Sequence, residues 1–151
     1  VESALSKLQR PGESFLAYDR RFNGPIADPG GLILGASAPV LHTVNADNKR
    51  IRVSGLPSGY LLTDGDYIGW QYGSPTRYAL HRLVTGATAS GAGLTPLFEV
   101  APFVRSGFVT GTTAVVLIRP PFKAVLTAVN FGGGRSVITE GGSFQFIQTL
   151  R

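Results

Sequence analysis

From Gly35 onward the chain is a succession of short β-compatible runs cut apart by Gly, Pro, Asn and Asp: PVLHTVN, RIRVSGL, YLLTDGDYIGWQY, RYALHRLVTGATA, LTPLFEVAP, TAVVLIRPP, FKAVLTAV, SVITE and SFQFIQTL. No segment of ten residues after Gly12 carries the apolar stripe of a helix. Short strands at regular spacing, with turn residues between them, specify an all-β barrel or sandwich. The 20 Gly and 10 Pro serve that architecture, because they interrupt helices and supply the dihedral angles that turns need. With 43% hydrophobic residues over 151 positions there is material for one core of ordinary domain size, about 100–150 residues.

What precedes Gly35 reads differently. VESALSKLQRPG places Ala4, Leu5 and Leu8 on one face of a short helix, Ser3 to Gln9, stopped by Arg10, Pro11 and Gly12. The chain opens on Val1 instead of Met, with a helix cut short at its start. The expectation is that residues 1–34 close an N-terminal domain whose beginning lies upstream, and that residues 35–151 form the β-domain. SFLAYD suits a strand, with Phe15 and Ala17 on one face and Leu16 and Tyr18 on the other. RRFNGPIADPGG, Arg20 to Gly31, is turn vocabulary throughout, and an irregular loop of this length usually carries contacts. Arg20, Arg21, Phe22, Pro25 and Ile26 are its candidate interface residues, with Phe146 in the terminal strand a further one.

The only Trp lies in GDYIGWQYGSPTRYALHRLV. Alternation puts Ile68, Trp70 and Tyr72 on one face of the first strand, Gly73, Ser74 and Pro75 in the turn, and Arg77, Ala79, His81 and Leu83 on one face of the second. Trp70 is expected inside the barrel or at its rim, opposite Tyr78 or Leu80. The alternative is a carbohydrate-stacking platform made of Trp70, Tyr72 and Tyr78.

No group in the sequence is set up for chemistry. There is no Cys, and the two His, His42 and His81, fall on different runs without recognised metal spacing. No Ser sits in a GxSxG elbow. Asp64 and Asp66 bracket a turn, which is a more common task for neighbouring Asp residues than acting as a hydrolytic pair. FGGGRS lacks the spacing of a phosphate loop and reads as a hairpin loop. The reading is therefore a protein that is not an enzyme and takes no cofactor or metal. The net charge of +5 is scattered over many runs instead of gathering on one stripe, which argues against a nucleic-acid partner. No window approaches the roughly 20 consecutive apolar residues of a membrane span.

The order of the motifs adds a resemblance. A helix ending near a Gly, ESFLAYD with a Pro and Gly loop, LLTDGDYIGW, YALHRLVTGATASGAGLTPLFEVAPFVR, TGTTAVVLIRPPFKAVL and a last strand FQFIQTL follow one another. This order, from about Leu5 to Leu150, resembles the minor tail proteins, or distal-tail-like proteins, of long-tailed bacteriophages and gene transfer agents. Gly65 and Asp66, Leu80 to Arg82, Pro102, Pro120, Pro121 and Phe122 fall on the matching positions, and GGGRSVITEGG departs from the pattern. The resemblance implies a virion structural protein of the tail tip or baseplate. It also implies that copies form a homo-oligomeric ring docked to other tail proteins such as tube, hub or tip, and it carries over no catalytic residue.

Overall fold

In the computed structural model of the chain, described for residues 6–130, 134–135, 138–139 and 143–149, the fold is mainly β, as expected, with a short helical turn at residues 6–8. The strands are β1 (Phe15–Ala17), β2 (Val40–Val44), β3 (Arg50–Ser54), β4 (Leu61–Leu62), β5 (Tyr67–Tyr72), β6 (Arg77–Leu83), β7 (Ala87–Thr88), β8 (Phe98–Ala101), β9 (Val115–Val116), β10 (Phe122–Asn130), β11 (Gly134–Arg135), β12 (Ile138–Thr139) and β13 (Ser143–Gln148). The chain forms two compact units: residues 18–121, and residues 1–17 together with 122–151. This division is drawn elsewhere than the expected 1–34 and 35–151, because the first strand pairs with a strand near the far end of the sequence.

The larger unit is a six-stranded antiparallel sheet in the order β2-β3-β8-β6-β5-β9, curled until its outer strands meet. Val40 bridges Ala114 across the seam. The Val115 amide donates to the Pro39 carbonyl at 2.8 Å and the Leu41 amide to the Thr113 carbonyl at 2.9 Å. The period-2 pattern of each run decides what points inward. Leu41, Ile51, Val53, Ile68, Trp70, Tyr72, Ala79, Leu83, Phe98, Val100 and Val115 form one buried cluster. Fully burying side chains of this size contributes about 1.5–3 kcal/mol each before conformational entropy is subtracted.

Local turn chemistry sets the register. Between β2 and β3, Asp47 accepts from the Lys49 and Arg50 amides at 2.9 and 3.2 Å. Asn48 takes φ 54, a left-handed conformation that Asn tolerates better than most residues. The Asp47 carboxyl is held far below its usual range, first by the Lys49 amide and with the Arg50 side chain adding to the effect.

In the smaller unit β10 lies between β1 and β13, antiparallel to both, with a register shift between Leu126 and Ala128. Phe15 meets Phe146 edge-on at 5.7 Å, and Phe122 and Phe144 lie 6.1 and 6.0 Å from the same ring. Every residue of β13 is exposed. Of the expected Ser3 to Gln9 helix, residues 3–5 lie outside the described residues, as does most of the GGGRSVITEGG segment. Its described parts are β11 and β12, paired antiparallel.

Candidate interface

Two buried carboxylates fasten the arm to the barrel. Asp66, at the entrance of β5, is fully buried. It accepts from the Thr63 amide at 2.7 Å, which closes its own turn, and from the Ile26 amide at 2.9 Å, forty residues away. Asp28, also buried, accepts from the Ile33 and Leu34 amides at 3.2 and 2.8 Å and from the Tyr60 hydroxyl at 3.2 Å. Burial pushes the Asp28 carboxyl up, but the Leu34, Ile33 and Tyr60 donors outweigh it, and the net shift is downward. Neither carboxylate has a cation partner among the described residues; backbone N–H groups and one phenol satisfy them.

The loop between these anchors packs tightly. A Cβ on Gly24 would come within 2.7 Å of Ile118 Cδ1 and 2.9 Å of the Asp28 carbonyl oxygen, so only glycine fits there. Pro25 is fully buried, and Phe22 is half-buried, edge-on to Tyr67 at 5.0 Å. Both were expected at an interface. Pro25 is instead a core residue of the arm, because the Ile26 anchor draws the chain inward at that point. Arg119 ties down the other side: its backbone amide donates to the Asn23 carbonyl at 3.0 Å, and its guanidinium lies 5.8 Å from the Tyr18 ring centre.

What the arm leaves outside is apolar. Ile26 is 64% exposed, Leu32 90% and Ile33 59%. Arg20 and Arg21 are exposed beside them in sequence, and Arg21 grips Asp19 through Nε and Nη2 at 3.1 and 3.0 Å. That grip holds the Asp19 carboxyl below its usual range. Leu32 and Ile33 escaped the sequence reading, although three large aliphatic residues in a row between Gly31 and Gly35 are a legible signal. Of the expected interface residues, Arg20, Arg21, Phe22, Pro25 and Ile26 belong to the larger unit and Phe146 to the smaller. Phe146 is 39% exposed, with Phe144 at 53% and Ile147 at 60% in the same strand.

The stacking platform does not form. Trp70 and Tyr72 are buried and Tyr78 half-buried. Trp70 pairs in register with Ala79, not with Tyr78 or Leu80, because the inward face of β6 is Arg77, Ala79, His81 and Leu83. The Trp70 indole stacks on the buried His81 ring, with centroids 4.5 Å apart and planes 16° apart. His42 is exposed, its Nδ1 2.7 Å from the Thr43 hydroxyl.

Open depressions lie on the barrel surface. One of about 260 Å³ lies along the seam between Leu34, Pro39 and Val40 on one side and Val116 and Ile118 on the other. Another, of about 640 Å³, lies over β4 and β7 beside Asp64, Thr88 and Pro96. Neither brings together an acid, a base and a nucleophile. No family model, curated protein or solved structure matches the chain.

Proposed function

We propose that this protein is a structural component of a bacteriophage-type tail, at the tail tip or baseplate, which works by assembling into a ring of identical copies and docking to other tail proteins. The order of motifs from Leu5 to Leu150 suggests the family. The observation that carries the mechanism is the β1-β10-β13 sheet. Both its outer strands have one edge unpaired among the described residues, and β13, with Phe144, Phe146 and Ile147, is exposed along its whole length. Unpaired edges of uncharged sequence are a hazard in a monomer and a joint in an assembly. Two edges on opposite sides of one sheet suit head-to-tail contacts, which form a ring when the rotation from copy to copy closes and a filament when it does not. The rigidly anchored arm, with Ile26, Leu32 and Ile33 outward, is a second surface suited to a neighbour.

Cryo-electron microscopy of tail particles containing the chain tests this reading. A ring of this fold at the tail tip supports it, and a complete tail-tip map with no density for the fold overturns it. In solution, Phe146→Lys in β13 is expected to abolish self-association while the Trp70 fluorescence of the barrel stays native.

A further inference from the structure

The barrel holds one imidazole in its core. His81 is 3% exposed and Trp70, stacked on it, 2%. Pro102 can only accept a hydrogen bond, so His81 Nδ1–H donates to its carbonyl at 2.8 Å. The neutral ring then presents Nε2 as a bare lone pair, and no donor among the described residues is hydrogen bonded to that nitrogen. The Trp70 Nε1–H, also buried, has no acceptor among the described residues either. The pair therefore joins β5, β6 and the segment after β8 through stacking and a single hydrogen bond.

Among the described residues, the charged groups on the surrounding elements are engaged or turned away, except Arg77, whose Nε is buried without a partner. On β5, Asp66 gives both oxygens to the Ile26 and Thr63 amides. On β6, Arg77 is half-buried on the inward face, and Arg82 is exposed with its Nε on the Gly65 carbonyl. On β8, Glu99 lies opposite Arg50. Beyond it Lys49 lies over the Phe103 ring, and Arg105 is exposed. Burial pulls the imidazole below its usual pKa, and only the bond to Pro102 opposes it.

We propose that the Trp70–His81–Pro102 joint is an acid-sensitive catch in the barrel: uptake of one proton at His81 Nε2 loosens β5, β6 and residues 101–104 from one another. The imidazolium puts a charge among apolar core side chains and creates a second N–H with no protein acceptor among the described residues. The indole face compensates in part through cation–π attraction. The unpartnered Trp70 N–H favours the opened form, in which water reaches it.

The sign follows from linkage. The unfolded chain takes up the proton near pH 6.5, the ordinary His value, before the folded chain does. Stability is full above that pH and falls as pH drops toward the folded value, below which this group costs nothing more. The unfolding constant rises by up to about tenfold per pH unit inside the window.

Urea unfolding of the full chain from pH 7.5 to 5, followed by the fluorescence of Trp70, tests the proposal. The native protein is expected to lose stability below pH 6.5, and His81→Gln and His81→Phe to lose most of that slope, with His42→Gln keeping it. Variants of His81 with an unchanged slope overturn it. Should those variants not fold, NMR titration of the native protein decides. The imidazole showing contacts to the Trp70 indole must titrate below 6.5 with a matching change in Trp70 emission. A midpoint at or above 6.5, or emission that does not follow it, overturns the proposal.

Discussion

Removing the Asp66 carboxylate should undo the arm before it undoes the barrel. Asp66→Ala takes the acceptor from two backbone amides at once, Ile26 at 2.9 Å and Thr63 at 2.7 Å. Hydrogen bonds to a charged group are worth about 1.5–3 kcal/mol each. Ile26 and Thr63 are not buried residues, so water replaces part of what is lost, and the pair should cost roughly 2–4 kcal/mol. With a urea m-value of about 2 kcal/mol/M for a domain of this size, the midpoint should fall by about 1–2 M. Asp66→Asn keeps one acceptor oxygen but turns an NH2 toward the other donor, so it should fall between the two. Hydrogen exchange separates the local effect from the global one: the Ile26 amide should lose protection under conditions where the amides of β5 and β6 keep theirs. A variant Asp66→Ala within about 0.5 kcal/mol of the native protein, the ordinary range of surface changes, would refute the anchoring role. Unchanged exchange at Ile26 would do the same.

Gly93 sits at φ +72, and a Cβ there would collide with the Leu56 carbonyl oxygen; Gly93→Ala should cost about 1–3 kcal/mol, measured by urea midpoint, and a neutral result would mean the 90–94 turn is not held against Leu56. Trp70→Ala should cost about 3–5 kcal/mol and Trp70→Phe less, since Phe keeps part of the stack and removes the unpartnered N–H; a glycan-binding protein with a free Trp would instead lose ligand and keep its stability. The Tyr60 hydroxyl is pushed well above its usual value by burial and then by the neighbouring Asp28 charge. The difference in ultraviolet titration between the native protein and Tyr60→Phe should therefore show the Tyr60 phenol still protonated where an ordinary phenol, pKa about 10, has ionised. Because the unfolded chain ionises first, stability should decline as pH rises through that value, and Tyr60→Phe should remove this part of the decline.

The barrel was legible because its specification is local. Ile68, Trp70 and Tyr72, or Ala79, His81 and Leu83, declare their face by alternation alone, and the breaks at Asn48, Gly73 and Gly93 are visible as residue types. Two features needed the third dimension. The pairing of β1 with β10, Phe15 opposite Ala124, joins segments more than a hundred residues apart, and nothing in either run names its partner. The neighbour of Trp70 was misplaced for a different reason. Alternation divided β6 into its two faces but did not say which one turns inward, and choosing Tyr78 or Leu80 set the wrong face against a ring that in fact meets Ala79 and His81.

The arm shows why a site of this kind resists reading from sequence. Its hold on the barrel comes from Asp28 and Asp66, yet the partners of those carboxylates are mostly backbone amides, which every residue except Pro carries and no side-chain pattern announces. Asp66 was legible as a turn former, and the bond from the Thr63 amide shows that role. Its second oxygen, which reaches Ile26, was not legible, and that bond decides the surface. Drawing the Ile26 backbone inward buries Pro25 and leaves the Ile26 side chain outward, while Asp28 does the same for the backbone of Ile33. The apolar tip is therefore a consequence of satisfying two buried charges. A loop held by such anchors presents its aliphatic side chains with little freedom left to lose, and a partner that covers them gains their burial without first having to order the loop.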